Sequence, residues 1–221
     1  MAKRQTTSFA FKFPENESQW LAEETRAYDE GFSHPCGIDE VGRGCLAGPV
    51  VACALILPRG FYLPGVDDSK KIKPSVRAQL ARVILKEARA VALGMVTASE
   101  IDETNILKAS FKAMHIALAK LAPLPDLVLV DGHLKIPGLD LPQKTFVKGD
   151  GRVFSIAAAS IVAKVVRDRL MAFYARQFPA YGFEKHKGYG TLDHRQVIAH
   201  VGPCHLHRLS FAGATAAPKS P

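Results

Sequence analysis

Apolar residues in this chain fall into two kinds of stretch, and the two alternate. Some are short unbroken runs: Cys36-Gly-Ile ahead of Asp39, Pro49 through Leu57, Ala90 through Thr97, and Leu127-Val-Leu-Val ahead of Asp131. Runs of that length mark strands covered on both faces. Thr145-Phe-Val is a shorter one. Other stretches repeat at helical spacing. Pro74 stands where a helix starts, and Leu80, Val83, Ile84 and Ala88 recur within Ser75 to Ala90. Leu107, Phe111, Met114, Leu118 and Leu121 share a stripe behind a capping-box pattern at Ser99 and Asp102. Ser155 to Arg176 predicts a long helix rich in small residues, and Trp20 to Tyr28 a short one that stops before Gly31.

Two strands joined by a hairpin over Gly42 to Gly48 come first, and strands alternating with helices follow. That order predicts an α/β fold with a mixed sheet and helices on both faces. The length of 221 residues suits one sizeable domain, and the 48% hydrophobic content supplies its core without disulfides. We expect a partly mobile N-terminal extension over 1–22, a domain over 23–211, and a disordered Ala/Pro/Lys/Ser tail over 212–221.

Charge narrows the partners. Lys and Arg number 29 against 21 for Asp and Glu, a net +8 that favours phosphate-rich ligands. Cys36, Cys45, Cys53 and Cys204 show no CxxC spacing, which points to a reducing cytoplasm and away from zinc or a disulfide framework. No signal peptide and no membrane-spanning segment is read from the sequence.

The chemistry gathers at strand ends. Asp39, Glu40, Asp131 and Asp150 each lie at or just beyond the end of a predicted strand, where sites collect in α/β sheets. Grouped carboxylates repel one another unless a cation intervenes, and Mg²⁺ or Mn²⁺ takes such hard oxygen ligands. Successive strand residues point to opposite faces, so Asp39 and Glu40 serve one site only if the strand bends or bulges there, as Gly42 and Gly44 would allow, or if Glu40 also offers its backbone carbonyl. An acid of this kind is ordinarily a solvated strand end, but Asp39 and Asp131 close apolar strands, where an unpaired charge is costly.

Loops supply the rest. Gly42-Arg43-Gly44 permits close backbone approach and an arginine contact to phosphate, although a plain hairpin turn would look the same. Ser69 and Lys70, in Asp68-Ser-Lys-Lys, suit contacts to a nucleic-acid backbone, and Tyr189, between glycines, suits stacking on a sugar or base. Cys204, His205 and His207 lack a second ligand pair for a metal. Arg167 and Asp168 have the spacing of a local ion pair.

With these residues assembled, the chain resembles bacterial type 2 ribonuclease H, ribonuclease HII. The resemblance is carried by Gly-Ile-Asp39-Glu40-Val-Gly-Arg-Gly, Leu46-Ala-Gly-Pro-Val-Val, Asp68-Ser-Lys-Lys, Val130-Asp131-Gly, Lys148-Gly-Asp150, Ala157-Ala-Ala-Ser-Ile-Val-Ala-Lys-Val-Val-Arg-Asp168 and His186-Lys-Gly-Tyr-Gly-Thr. It implies a ribonuclease H-like fold, a central mixed five-stranded sheet flanked by helices, with a C-terminal helical segment. It also implies endonucleolytic cleavage of RNA in RNA–DNA hybrids and incision 5′ of ribonucleotides embedded in duplex DNA, leaving 3′-hydroxyl and 5′-phosphate ends.

Carried over residue by residue, the metal carboxylates fall on Asp39, Glu40, Asp131 and Asp150, holding two Mn²⁺ or Mg²⁺ ions. The loop that reads the ribose 2′-OH falls on Gly42, Arg43 and Gly44, and the tyrosine that packs on the junction sugar falls on Tyr189. The 2′-OH is the group that separates RNA from DNA. The implied partners are hybrid and ribonucleotide-containing duplex, with no membrane, and the enzyme is expected to be a monomer. Cys45 departs from the pattern, standing where proline is common, with consequences expected for loop stiffness or oxidation. A type 3 ribonuclease H is the rival on the same fold. It normally carries a separate N-terminal domain, whereas about thirty-five residues precede the first strand here, fewer than a domain needs. A non-catalytic nucleic-acid-binding protein is the rival from another class, but it leaves the carboxylates repelling phosphate for no return.

Overall fold

Glycine decides how closely the helices approach the sheet. A side chain at Gly37 would run into the backbone of Ser155, and one at Gly94 into the carbonyl of Ala113. These two contacts press a helix onto each face of one sheet. The computed structural model describes residues 17–215. Helices α1 (Glu17–Trp20) and α2 (Ala22–Asp29) lead into the antiparallel pair β1 (Pro35–Val41) and β2 (Val50–Ile56). Helix α3 (Pro74–Glu87), strand β3 (Ala90–Val96), and helices α4 (Ala98–Glu103) and α5 (Ile106–Ala119) follow. Strands β4 (Leu127–Asp131) and β5 (Gln143–Phe146) then lead through a 3₁₀ turn, Gly149–Gly151, into the long helix α6 (Phe154–Gln177). Helices α7 (Phe183–His186) and α8 (Leu192–Val201) form the C-terminal part.

The sheet has five strands in the order β3-β2-β1-β4-β5. The β1–β2 and β2–β3 pairs are antiparallel, and β1–β4 and β4–β5 are parallel, so the sheet is mixed as expected. One face packs on α5 through Ile38, Ala52, Ala54, Val128 and Val130. The other packs on α3 and α6 through Cys53, Leu55, Leu80, Ile84 and the small residues Ala157 to Ala159. Ile38, Leu55 and Ile56 are fully buried, and truncating any one to alanine would cost about 2–5 kcal/mol.

The structure corrects the sequence reading at four points. The capping box is Thr97 with Glu100, since β3 ends at Val96 and Thr97 is the first residue free to cap. Asp102 instead accepts the main-chain N–H groups of Leu209 and Ser210 at 2.7 and 3.0 Å, tying the C-terminal segment to α4. Of the expected stripe, Met114, Leu118 and Leu121 are buried and Phe111 packs against the same core, but Leu107 is exposed and the buried face of α5 also takes in Ala109, Ser110, Ala113 and Ala117. The helix turns its small residues toward Gly94, where only a side-chain-free strand position lets it settle. The predicted bend in β1 is absent, because Asp39, Glu40 and Val41 pair in regular register with Cys53, Ala52 and Val51.

Residues 212–215 of the expected tail are among the described residues. Ala214 is fully buried against Leu46 and Ile198, and the remainder of the expected tail lies outside the described residues. Residues 1–16 of the expected extension also lie outside them, whereas Trp20 meets the Phe154 ring edge-on at 6.5 Å. Among the described residues no helix is long and apolar enough to cross a membrane.

Candidate active site

The regular register of β1 sends Asp39 toward α6 and Glu40 toward α5, yet both line one cleft at the end of the strand. Asp131 enters it from the end of neighbouring β4, and Asp150 from the 3₁₀ turn beyond β5. The cleft has a volume of ≈ 300 Å³ and is also lined by Gly42, Arg43, Gly44, Ser69, Lys70, Ser160, Lys164 and Tyr189. Every site residue expected from the sequence therefore borders the same space.

The carboxylates are in an unfavourable setting for charge. Burial, and then the charges of Glu40 and Asp131, push the Asp39 carboxyl well above the usual range. Burial also raises Glu40, against the pull of Arg43, whose Nη1 stands 3.0 Å from its Oε1. Asp131 is raised by burial and then by Asp150, although its Oδ1 accepts the Gly149 N–H at 2.7 Å. Lys70 Nζ lies 3.5 Å from Asp150 Oδ2. Burial works against the Lys70 charge, but Asp150, Asp68 and Asp39 outweigh it and raise its pKa. Among the described residues no three of these side chains already converge as a ligand cage. The donor set is hard oxygen throughout, crowded and only partly offset by Arg43 and Lys70, which fits a divalent cation of the Mg²⁺ or Mn²⁺ class.

Ser69 is placed differently from the reading of it as a backbone contact. It is buried, and its hydroxyl meets that of Ser160 at 3.0 Å. Lys70 is exposed at the rim, as that reading requires.

The glycines flanking Arg43 have different reasons to be glycine. Gly42 has φ +97°, and a side chain there would strike the Arg167 guanidinium. Gly44 has no positive φ, and a side chain there would meet nothing within 4 Å. Packing does not require glycine at 44, and the backbone there is open to close approach.

Two fully buried arginines hold the loops from behind. Arg167 donates to the carbonyls of Pro49, Lys187 and Ala47 at 2.9, 2.9 and 3.0 Å. Its expected ion pair with Asp168 does not form, because the guanidinium turns inward to those carbonyls while Asp168 pairs with Arg77 and Lys164 at 3.1 and 2.7 Å. Arg208 donates to Gly48 and Arg43. Leu46 N–H donates to the Gly188 carbonyl at 2.8 Å, which joins the arginine loop to the Tyr189 loop. Cys45 is fully buried at this seam and bridges to Tyr189, so access for oxidation is closed. His205 packs edge-on against Phe178 at 5.1 Å, and His207 turns toward His194.

Sequence reasoning missed Lys164, Arg167 and Arg208 as parts of this site. Lys164 Nζ sits 5.6 Å from the centre of the Tyr189 ring and is salt-bridged to Asp168, and its i,i+4 spacing to that acid was the readable signal. Arg208 offered none, since its partners lie some 160 residues away in sequence.

Comparison with known proteins agrees with this geometry. The family profile described as ribonuclease HII matches residues 36–214. The chain is similar to ribonuclease HII of Geotalea daltonii, 55% identical over 83% of this chain and 85% of that protein. Its fold is similar to that of ribonuclease H2 from Pyrococcus horikoshii, with TM-score 0.69 at 23% identity over 82% of this chain and 95% of that one. It is also similar in fold to Bst-RNase HIII solved in complex with Mn²⁺, with TM-score 0.64 at 21% identity over 85% of this chain and 70% of that one.

Proposed function

The chain belongs to the ribonuclease HII family, and on that premise we propose how its residues divide the work. The enzyme is a metal-dependent endoribonuclease that cleaves RNA in RNA–DNA hybrids and at ribonucleotides embedded in duplex DNA. The finer reading is incision 5′ of the ribonucleotide, leaving a 3′-hydroxyl on one side and a 5′-phosphate on the other. The observation that carries it is the convergence of Asp39, Glu40, Asp131 and Asp150 with Arg43, Gly44 and Tyr189 on one cleft.

Asp39, Glu40, Asp131 and Asp150 would hold the metal ions, with Mn²⁺ or Mg²⁺ as the candidates and Mn²⁺ seen in the related Bst-RNase HIII. Such ions supply charge stabilisation to the attacking and leaving oxygens of an in-line phosphodiester displacement. The remaining work falls to the chain itself. Gly44, open to close approach, and the Arg43 backbone test for the 2′-hydroxyl. The Arg43 guanidinium and Lys70, at the rim, engage phosphate oxygens and orient the strand. Tyr189 supports the sugar beside the cut, with Lys164 beneath its ring. Ser69 acts from behind the cleft, its hydroxyl and that of Ser160 forming a polar pair along the wall.

The type 3 reading is disfavoured by the family match, since the ribonuclease HII profile spans residues 36–214. A DNA duplex with a single embedded ribonucleotide, assayed with Mg²⁺ and with Mn²⁺, tests the assignment. Metal-dependent incision 5′ of the ribonucleotide is expected. Cutting of hybrid with no incision of that duplex would overturn it.

A further inference from the structure

Tyr189 is 39% exposed and borders the cleft, and its backbone is held by three contacts. Its N–H donates to the His186 carbonyl, and its own carbonyl accepts the Thr191 N–H, both at 2.9 Å. The same carbonyl lies 2.9 Å from Nδ1 of His194. A carbonyl can only accept, so Nδ1 of His194 carries a proton. His194 Nε2 lies 3.1 Å from His207 Nε2. A neutral His194 must accept there, so His207 donates from Nε2. With His207 neutral its Nδ1 is then a lone pair, which receives the Cys204 N–H at 2.9 Å, with the Cys204 thiol at 3.3 Å and the Cys204 carbonyl at 3.1 Å beside it.

With both rings neutral, the proton on His194 Nδ1 sets one direction from Cys204 through His207 and His194 to Tyr189, against the Cys204 carbonyl, which favours the opposite His207 tautomer. Both histidines are almost fully buried. The groups facing them are the His186 ring, stacked on His194 at 4.1 Å, the rings of Tyr181 and Phe183, and Cys204. Among the described residues no carboxylate faces them. His186 is itself fixed, with Nε2 donating to the Tyr181 carbonyl at 2.7 Å and Nδ1 accepting the Gly188 N–H at 3.1 Å.

We propose that His194 and His207 are positioning residues for the cleavage: as a directional pair of neutral rings they hold the Tyr189 carbonyl and so set where the Tyr189 ring meets the sugar beside the scissile phosphate. This rests on the reading of Tyr189 as the sugar platform. Burial supports the neutral forms, lowering His194 to about 4 and His207 in the same direction. Adding a proton would place two N–H groups face to face between the rings unless His207 reversed its tautomer, exchanging the Cys204 N–H for the Cys204 carbonyl at 3.1 Å.

The test is a double-mutant cycle on the single-ribonucleotide duplex, with kcat and KM resolved and melting followed in parallel. His194→Ala should raise KM on the order of tenfold, as misplacing a bound group does. His194→Asn, which keeps a donor near Nδ1, should recover most of the loss. In a Tyr189→Ala background, His194→Ala should add nothing further to KM. If Tyr189→Ala itself leaves KM unchanged, the platform reading fails and this inference with it. If Tyr189→Ala raises KM but His194→Ala does not, or costs as much in both backgrounds, the relay alone is overturned. If the His194 variants do not fold, ¹⁵N-imidazole spectra of the unaltered enzyme decide. Nδ1–H at His194 with Nε2–H at His207 is expected, and the reverse tautomer at either overturns the proposal.

Discussion

Arg208, near the C-terminus of the domain, donates from Nη1 to the main-chain carbonyl of Arg43 at 2.8 Å. The two arginines have opposite settings. Arg43 is exposed in the cleft, whereas Arg208 is fully buried and has no carboxylate within ion-pair distance among the described residues. Burial lowers Arg208 to about 10, so it remains charged and discharges its hydrogen bonds onto carbonyl oxygens. The loop proposed to test for ribose is therefore held from behind by a residue that never meets substrate.

Arg208→Met should accordingly weaken fold and specificity together. The variant leaves the Gly48 and Arg43 carbonyls without their charged donor, at a cost of about 3 kcal/mol. Urea unfolding should show that loss. Single-turnover incision of an embedded ribonucleotide should fall more than binding of the duplex does. Unchanged unfolding and unchanged incision would remove Arg208 from the account.

Gly42 and Gly44 should respond differently to alanine. Gly42→Ala meets a positive φ and the Arg167 guanidinium and should destabilise the protein. Gly44→Ala meets open space and should change stability by no more than about 0.5 kcal/mol. It should nevertheless lower incision by roughly tenfold or more if substrate approaches the backbone there. Full activity in a well-folded Gly44→Ala enzyme would mean that the substrate does not come that close.

Asp39→Asn separates catalysis from stability. Asp39 is buried and crowded by Glu40 and Asp131, both of which raise its proton affinity. An isosteric amide removes one charge from that cluster. In the absence of divalent ions the variant should melt at or above the temperature of the unaltered enzyme. Cleavage should be lost while hybrid binding persists. Near-normal turnover would dismiss Asp39 as a metal ligand.

These contrasts also mark what the sequence could reveal. Strands and the long helix were legible because burial on both faces writes continuous apolar runs, and Asp39 and Asp131 were legible because each closes such a run. The helix α5 stripe was legible in part, since Met114, Leu118 and Leu121 are buried and Phe111 packs on the same core, but the close contact of Ala113 with Gly94 carries no large residue to mark it. Arg167 was assigned a neighbour in sequence, but its partners are carbonyls of two distant loops. Hydrogen bonds from side chain to remote backbone leave no periodicity. The supports of the site, Arg208 and the histidine pair, were hidden for that reason.

A last prediction concerns the far end of α6. Val153, its N-cap residue, makes no side-chain cap, and Glu24 of α2 takes over by accepting the Ser155 N–H at 2.7 Å. The arrangement suits the partial positive charge of a helix N-terminus, yet burial prevails and raises the Glu24 carboxyl above its ordinary value of 4.5. Because the folded form then holds its proton more tightly than the unfolded chain, the folded state binds more protons, and stability falls as pH rises through that window. Glu24→Gln retains the acceptor oxygen and removes the charge. Its denaturation midpoint should exceed that of the unaltered enzyme at about pH 8, with the gap narrowing toward about pH 5, where more of the native carboxyl is protonated. A variant less stable at the higher pH would show that the charge on α6 outweighs the burial of Glu24.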